Sequence, residues 1–224
     1  LFVRASAMVS TIRSPEDEGG RFEEVDRLAT EVIEGDSDLA HVLTHKCLAI
    51  RAQARRALGR VQDAEADLAL AQKFDPDDPA VFGNAALWKY DHGDKQAALA
   101  LLARPAVADN PMLLSLRARI HWDVGAPEKA RCDIACALAI ATRANDRDGV
   151  RLNTAEVALL LGDQSLAERI LSDLSADGRT RAGLLVLRGR LAVSRGQYDE
   201  AESYYREAAT RETTRSSEYY VELA

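Results

Sequence analysis

Five glycines recur along this chain at nearly equal intervals, and this regularity restricts the possible folds more than any other feature. Counted from each glycine to the next, the intervals are 34, 32, 37 and 34. Each glycine follows a stretch rich in helix-forming residues, and glycine often ends a helix because it adopts a left-handed backbone without strain. A fixed period of this length indicates a protein built from stacked helical repeats. The glycines are Gly59, Gly93, Gly125, Gly162 and Gly196.

Residues at fixed distances from these glycines share a size class. An alanine stands five positions after every glycine, and an alanine or glycine stands seven positions before it. A large side chain stands nine positions after it, and an apolar one twelve positions before it. Two antiparallel helices joined by a tight turn approach closely only where both have small side chains, so the small positions predict the helix crossing. In that order the sets are Ala64, Ala98, Ala130, Ala167 and Ala201; Ala52, Ala86, Ala118, Ala155 and Gly189; Leu68, Leu102, Ile134, Leu171 and Tyr205; and Cys47, Val81, Leu113, Val150 and Leu184.

Two segments show the pattern most fully. The segment from Gly196 to Ala208 resembles the second helix of a tetratricopeptide repeat, as does the segment from Gly59 to Ala71 with the loop that follows it. The resemblance extends over residues 45–210 and more weakly over 20–44. It implies an all-α fold, a right-handed α-solenoid in which antiparallel helix hairpins stack on their neighbours.

The domain organisation follows from the repeat. We predict one solenoid over residues 1–224, with a degenerate N-terminal unit at 1–44, five helix hairpins at 45–211 and a capping or truncated helix at 212–224. Pro105 should end its helix early, because proline lacks the amide donor and clashes with the preceding turn. The expected helix pairs are 39–57 with 61–74, 79–92 with 95–103, 112–124 with 127–142, 146–161 with 164–175, and 180–195 with 198–211; single helices are expected near 22–34 and 215–223.

The N-terminal unit departs from the pattern. Gly20 would open its second helix, but Val25 occupies the alanine position and Pro15 interrupts the helix before it. The chain begins at Leu1 without an initiator methionine, and its last residues have the pattern of an unfinished helix. We therefore expect a fragment of a longer protein, in which a targeting signal could lie outside this sequence.

Composition excludes several classes of protein. The formal net charge is −7, which disfavours a general nucleic-acid binder because phosphate binding needs a basic face. No apolar stretch approaches the length that a membrane-spanning helix needs, so direct membrane insertion is not expected. Three cysteines do not form a disulfide framework, and they fit a reducing, cytoplasmic location.

Catalytic and metal-binding motifs are absent from the sequence. It has no phosphate-binding loop, nucleophile elbow or zinc-protease helix, so we predict no enzyme and no cofactor. Cys132 and Cys136 stand four positions apart but lack a second ligand pair, and small buried side chains are the favoured interpretation. His41 and His45 also stand four apart without a carboxylate at helical spacing, which favours exposed positions at a helix start over a metal site.

Charge is distributed unevenly between the two helices of the hairpins. The fourteen positions before each glycine sum to +7, and the twelve positions after each glycine sum to −6. The resemblance implies that the first helices line the concave face of the solenoid, so this face is predicted to be relatively basic. Two interpretations remain open: arginine stems that pack beside the crossing with their heads in water, or a positive groove that attracts an acidic peptide.

Candidate partner-binding residues come from the groove positions that the resemblance implies. Asn84 and Asn153 occupy the position where an asparagine often bonds a peptide backbone in this family, and Tyr90 and Trp122 are equivalent aromatic positions, either anchors for a partner or packing between hairpins. The candidates are Gln53, Arg56, Asn84, Tyr90, Arg119, Trp122, Asn153, Glu156 and Arg190.

Function follows from this surface. We predict a protein-interaction scaffold that binds a peptide or partner segment, acidic if the basic groove is real. One alternative is the ligand-sensing segment of a larger bacterial regulator or signalling protein, and a weaker one is a secretion or envelope assembly factor. The sequence does not fix the partner or the oligomeric state.

Overall fold

The computed structural model describes residues 15–35, 38–141, 147–174 and 182–211, and the regular structure of these residues is helical. None of the described helices is both long enough and apolar enough to cross a membrane. The helices are α1 (Pro15–Ile33), α2 (Asp38–Ala57), α3 (Val61–Phe74), α4 (Pro79–Asp91), α5 (Lys95–Leu101), α6 (Pro111–Asp123), α7 (Pro127–Ala141), α8 (Arg147–Leu160), α9 (Gln164–Ser172), α10 (Ala182–Ser194) and α11 (Tyr198–Arg211), with a short 3-10 turn at Pro105–Val107.

The five periodic glycines all have the left-handed backbone that the sequence predicts. Their φ angles lie between 73° and 83°, and each glycine follows the end of the first helix of a predicted pair. A side chain at such a φ angle is strained, so the repeat spacing of the glycines is explained by turn chemistry. The helices predicted on either side of these turns are confirmed, with ends that differ by at most a few residues.

Local signals fix several of the helix boundaries. Asp78 caps α4 by accepting a hydrogen bond from the backbone N–H of Ala80, and Pro79 occupies the first turn, where its missing amide costs nothing. Asn110 and Pro111 do the same for α6. α5 ends at Leu101, ahead of Pro105, which instead opens the 3-10 turn.

The small and large positions of the repeat form the core. All residues of the four sets defined from the sequence are buried. The last hairpin shows why the small position matters, because Gly189 on α10 faces the ring of Tyr205 on α11. A Cβ added at Gly189 would lie 2.6 Å from Cε1 of that ring. The largest side chain at its position is therefore matched by the smallest one opposite.

The described chain divides into two compact units, residues 1–92 and 93–224. In the first unit α2 packs against α1, α3 and α4. In the second unit α6 pairs with α7, α8 with α9 and α10 with α11, while α8 also contacts α6 and α10. The prediction of one continuous solenoid over 1–224 remains a proposal.

The N-terminal unit differs from the prediction in one respect. α1 begins at Pro15 and passes through Gly20, so Gly20 lies inside a helix and does not follow a turn. Proline is well tolerated in the first turn of a helix, which explains why Pro15 starts α1. The predicted helix near 215–223, the chain start at Leu1 and the polar connection at 144–146 lie outside the described residues.

Candidate functional site

In the first unit, two candidate polar side chains make contacts with their own unit. Arg56 on α2 forms an ion pair with Asp91 on α4. The side-chain amide of Asn84 donates a hydrogen bond of 2.8 Å to the carbonyl oxygen of Ala80, one turn earlier in the same helix. Gln53 and Tyr90 are half-buried on the same two helices.

In the second unit, three candidates form one charged cluster across three first helices. Glu156 on α8 forms ion pairs with Arg119 on α6 at 2.8 Å and with Arg190 on α10 at 2.9 Å through the same carboxylate oxygen. The Nε atom of Arg119 also lies 3.9 Å from an Asp123 oxygen. Asn153 lies one turn before Glu156 and is exposed. We call Arg119, Asn153, Glu156 and Arg190 the first-helix face.

These ion pairs change the electrostatic expectation for the groove. The sequence sum treats each charge separately, whereas Arg119 and Arg190 share a cluster with Glu156 and Asp123. The positive charges of the two arginines are balanced by the negative charges of the two carboxylates in this cluster. The predicted positive surface is therefore weaker here than the sum over the first helices suggests, and the arginine heads are held in defined positions.

Trp122 has a packing role in the second unit. Its indole N–H donates a hydrogen bond of 3.1 Å to the carbonyl oxygen of Leu160, and its half-buried ring packs against the core formed by Ala118, Ile134 and their neighbours. The ring thus stabilises the contact between α6 and α8. Its role as a partner anchor remains a prediction, as does that of Tyr90.

A buried charge pair that the sequence reasoning missed joins α2 to α3. Arg51, eight positions before Gly59, donates two hydrogen bonds to Asp67, eight positions after it, at 2.9 and 2.7 Å. Arg55 also donates to Asp67, and the third nitrogen of Arg51 donates to the hydroxyl of Thr30 on α1. Paired in this way, the largely buried charges are satisfied.

The hairpin that turns at Gly125 repeats this arrangement. Arg117 donates to Asp133 at 3.0 and 2.6 Å, and its third nitrogen donates to the carbonyl oxygen of Leu102. His121 occupies the position of the second cation, with Nδ1 2.9 Å from Asp133. The hydrogen bonds from Arg117 to Asp133 raise the pKa of Arg117, although burial acts in the opposite direction.

These pairs explain a regularity of the sequence. The motif of an apolar residue, an arginine, a small residue and a polar residue occurs in alternate units, at Ile50–Gln53, Leu116–Arg119 and Leu187–Arg190. Its arginine points to the second helix of the same hairpin in the first two cases. The signal that would have revealed the pairs is the aspartate at equal distance on the other side of the turn glycine.

His45 does not lie at an exposed helix start, contrary to the prediction. Its Nε2 atom is 3.4 Å from Asp78 and 3.9 Å from Asp75, two carboxylates brought by the loop after α3. The three side chains could offer ligand atoms to a metal ion. However, Asp78 also caps α4, and its carboxylate lies 3.5 Å from the ammonium group of Lys46. The negative charge of this carboxylate is therefore already paired with a lysine. The side chain of His41 lies outside the described residues.

The cysteines differ from the prediction in part. Cys47 is buried, as its apolar position twelve residues before Gly59 predicts. Cys132 and Cys136 are exposed, so the prediction that they are small buried side chains is wrong. A spacing of four keeps both on one face of α7, away from the face that buries Ile134 and Ala137.

Comparison with known proteins agrees with this architecture. A tetratricopeptide repeat family model matches residues 182–214, a segment that includes α10 and α11. A comparison with curated protein sequences finds no match.

Three solved structures show the similarity in fold. The PilF protein of Pseudomonas aeruginosa is 18% identical with a TM-score of 0.57, over 91% of this chain and 89% of that one. The Cut9–Hcn1 hetero-tetramer of the APC/C gives 13% identity and a TM-score of 0.59, over 90% of this chain and 45% of that one. The Rap conjugation gene regulator of plasmid pLS20, in complex with the Phr* peptide, gives 16% identity and a TM-score of 0.51, over 86% of this chain and 57% of that one.

The glycine turns, the paired helices and the buried small positions define an α-helical repeat protein of the solenoid class. The segment at residues 182–214, which contains the last hairpin, matches the tetratricopeptide repeat family, and the similar solved structures support the same fold for the rest of the described chain.

Proposed function

We propose that this protein is an interaction scaffold that holds a peptide or a partner segment on the first-helix face of its second unit. Arg119, Glu156 and Arg190 stand side by side on three adjacent helices, and each side chain is about one-third exposed at 29–36%. Asn153 adds an exposed amide beside them. This row of ordered polar groups is the observation on which the proposal depends.

The arginines of the row offer donors to a partner carboxylate, although Glu156 and Asp123 offset their charge. A partner carboxylate that approaches Arg119 and Arg190 finds two guanidinium groups already held in place by Glu156, so little side-chain entropy remains to be lost. The exposed amide of Asn153 can pair with the backbone of an extended peptide. Charged groups of this kind set the specificity and the rate of association more than the affinity.

Two similar proteins give the fold a precedent for partner binding. The Rap regulator is described in complex with a peptide, and Cut9 in an assembly with Hcn1. These facts concern those proteins, and they support the proposal by showing what the fold can accommodate. They do not identify the partner of this chain.

The test is a comparison of two double variants in a binding assay. Partners captured by the 224-residue chain are identified by mass spectrometry, and the affinity of each is then measured with purified protein. We expect Arg119→Gln with Arg190→Gln to weaken the specific partner about thirtyfold, as for two moderate hot-spot residues. Arg169→Gln with Arg206→Gln is the matched control, because both arginines are exposed on second helices. Equal loss in both double variants, or no loss in either, would contradict the proposal.

A second candidate function is the sensing segment of a larger regulator. The similarity in fold to the peptide-bound Rap regulator is the observation that favours it. In that case a short free peptide should bind the same face, and its binding should change the hydrogen exchange of α6, α8 and α10 together. A scaffold for a folded partner should show no such response to short peptides.

A further inference from the structure

The last hairpin keeps the arginine of the buried charge pair but lacks its aspartate. Arg188 stands eight positions before Gly196, the place of Arg51 and Arg117 in their hairpins. Eight positions after Gly196 stands Tyr204, where the other two hairpins have Asp67 and Asp133. The guanidinium carbon of Arg188 lies 6.0 Å from the centroid of the Tyr204 ring. Within the described ranges, no carboxylate lies at ion-pair distance from Arg188.

The second cation of the arrangement is also missing. Four positions before Gly196 stands Ala192, at the place that Arg55 and His121 occupy beside the aspartate in their hairpins. Ala192 is too short to fill the space of either side chain. Two substitutions in one hairpin therefore remove the acid and the side chain that covers it.

A cavity lies where these groups are absent. It has a volume of about 370 Å³ and is bounded by α9, α10 and α11. Its apolar lining is Leu171, Leu191 and Ala192, together with the ring of Tyr204. This volume is near the lower end of the range of about 300–1,000 Å³ for small-molecule sites, so it suits a short ligand or one side chain.

The charged side chains around the cavity differ in whether an oppositely charged or hydrogen-bonding partner lies beside them. Arg195 is paired with Glu168 at 2.7 Å, and the carboxylate of Glu200 accepts a hydrogen bond of 3.1 Å from the Tyr204 hydroxyl. Among the described side chains, Arg188 faces the ring of Tyr204. Burial, with the Glu200 contact, raises the pKa of the Tyr204 phenol, so the ring is neutral at physiological pH and does not repel an anion.

We propose that this cavity binds a carboxylate group, which takes the place that Asp67 and Asp133 occupy in the other two hairpins. The planar guanidinium of Arg188 matches a carboxylate with two parallel hydrogen bonds, as Arg51 and Arg117 show within this same chain. The carboxylate belongs to a small molecule with a short apolar chain or to a glutamate side chain of a partner. The site shares no residue with the first-helix face, so either proposal can fail without the other.

Calorimetric titration at low ionic strength tests the proposal with matched probes. The small-molecule probe is glutarate, with glutaramide as its uncharged counterpart. The peptide probe is capped Gly-Glu-Gly, with capped Gly-Gln-Gly as its counterpart. We expect at least one of the two carboxylates to bind and both amides to fail. Binding of glutarate alone indicates a small-molecule ligand, and binding of the peptide alone indicates a partner side chain.

Two variants assign the binding to Arg188. Arg188→Gln removes the cation, and Tyr204→Asp supplies the carboxylate from within the chain, as in the other two hairpins. Both should lower the affinity at least about tenfold. The control Arg206→Gln, on the exposed side of α11, should bind as the native protein does.

Circular dichroism melting confirms that each variant is folded, and it gives a readout without ligand. Tyr204→Asp should unfold at a temperature no lower than Arg188→Gln, because it pairs the half-buried cation. The proposal would be overturned if neither glutarate nor the glutamate peptide binds, if the amides bind as well as the carboxylates, or if Arg188→Gln keeps the native affinity.

Discussion

Replacing Gly189 with alanine should destabilise the native protein but stabilise a variant in which Tyr205 is leucine. In the native hairpin the added Cβ would lie 2.6, 2.7 and 2.9 Å from three atoms of the Tyr205 ring. That ring is only 2% exposed, so it cannot swing into solvent to make room. The other four units have an alanine opposite a leucine or isoleucine.

The magnitudes follow from two opposing effects. Inserting a methyl group into a filled core costs about 1–3 kcal/mol. An alanine in place of a glycine inside a helix contributes about 1 kcal/mol in the other direction. We therefore expect Gly189→Ala to lower the free energy of unfolding by about 1 kcal/mol in the native background. With Tyr205→Leu the clash is gone, and the same substitution should raise it by about 1 kcal/mol.

The assay is a double-mutant cycle of four proteins, followed by urea denaturation and circular dichroism. Since repeat proteins open locally, hydrogen exchange of the α10 amides should report the same order of stability. The difference between the two effects of Gly189→Ala is a coupling of about 2 kcal/mol between the two positions. An effect of the same sign in both backgrounds would refute the packing argument.

Three further outcomes test the turns, the buried pair and the cysteines. Gly125→Ala should lower the free energy of unfolding by about 1–2 kcal/mol, because Gly125 has a positive φ. The control Gly183→Ala, inside α10 with open space around it, should not lower it, and denaturation midpoints distinguish the two outcomes. Asp133→Asn should cost about 3–5 kcal/mol in the same assay, since it leaves a largely buried guanidinium without its anion. Burial raises the pKa of Cys47 to about 11, so iodoacetamide at pH 8 should label the exposed Cys132 in the native protein and Cys47 only after unfolding. Peptide mass spectrometry measures the labelling, and equal labelling rates of Cys47 and Cys132 in the native protein would contradict the prediction.

The fold was predictable because its determinants are local and periodic. A glycine at a positive φ, a proline in the first turn and an alanine at the crossing act within one hairpin, and each recurs in register along the chain. Five repetitions of a weak signal make a strong one. The boundaries of α3 and α6 followed from the same turn signals.

The functional candidates were harder to predict because their contacts join distant parts of the sequence. Glu156 pairs with Arg190 on the next first helix, α10, and the indole of Trp122 donates a hydrogen bond to the carbonyl of Leu160 at the far end of α8. His45 is surrounded by carboxylates from a loop that follows the next helix, which no helical spacing reveals. Charge counted along a helix therefore overestimates the free charge of its surface.

The buried arginine–aspartate pair occurs in the hairpins that turn at Gly59 and Gly125, and this pattern helps to explain the role of Arg188 in the last hairpin. A buried arginine–aspartate pair contributes little net stability compared with an apolar pair of similar size. The intervening units have no ion pair at the same two positions, where they have Ala85 with Leu101, and Thr154 with Ile170. Stability alone would therefore accept either both charges or neither.

The last hairpin has neither of these combinations. Arg188 remains, its aspartate is replaced by Tyr204, and the space between them is a cavity. Arg188 faces an aromatic ring where the other two hairpins have a carboxylate, so its paired N–H donors are not used by an aspartate of the hairpin. The proposed carboxylate ligand would use these donors with the geometry that Asp67 and Asp133 already display.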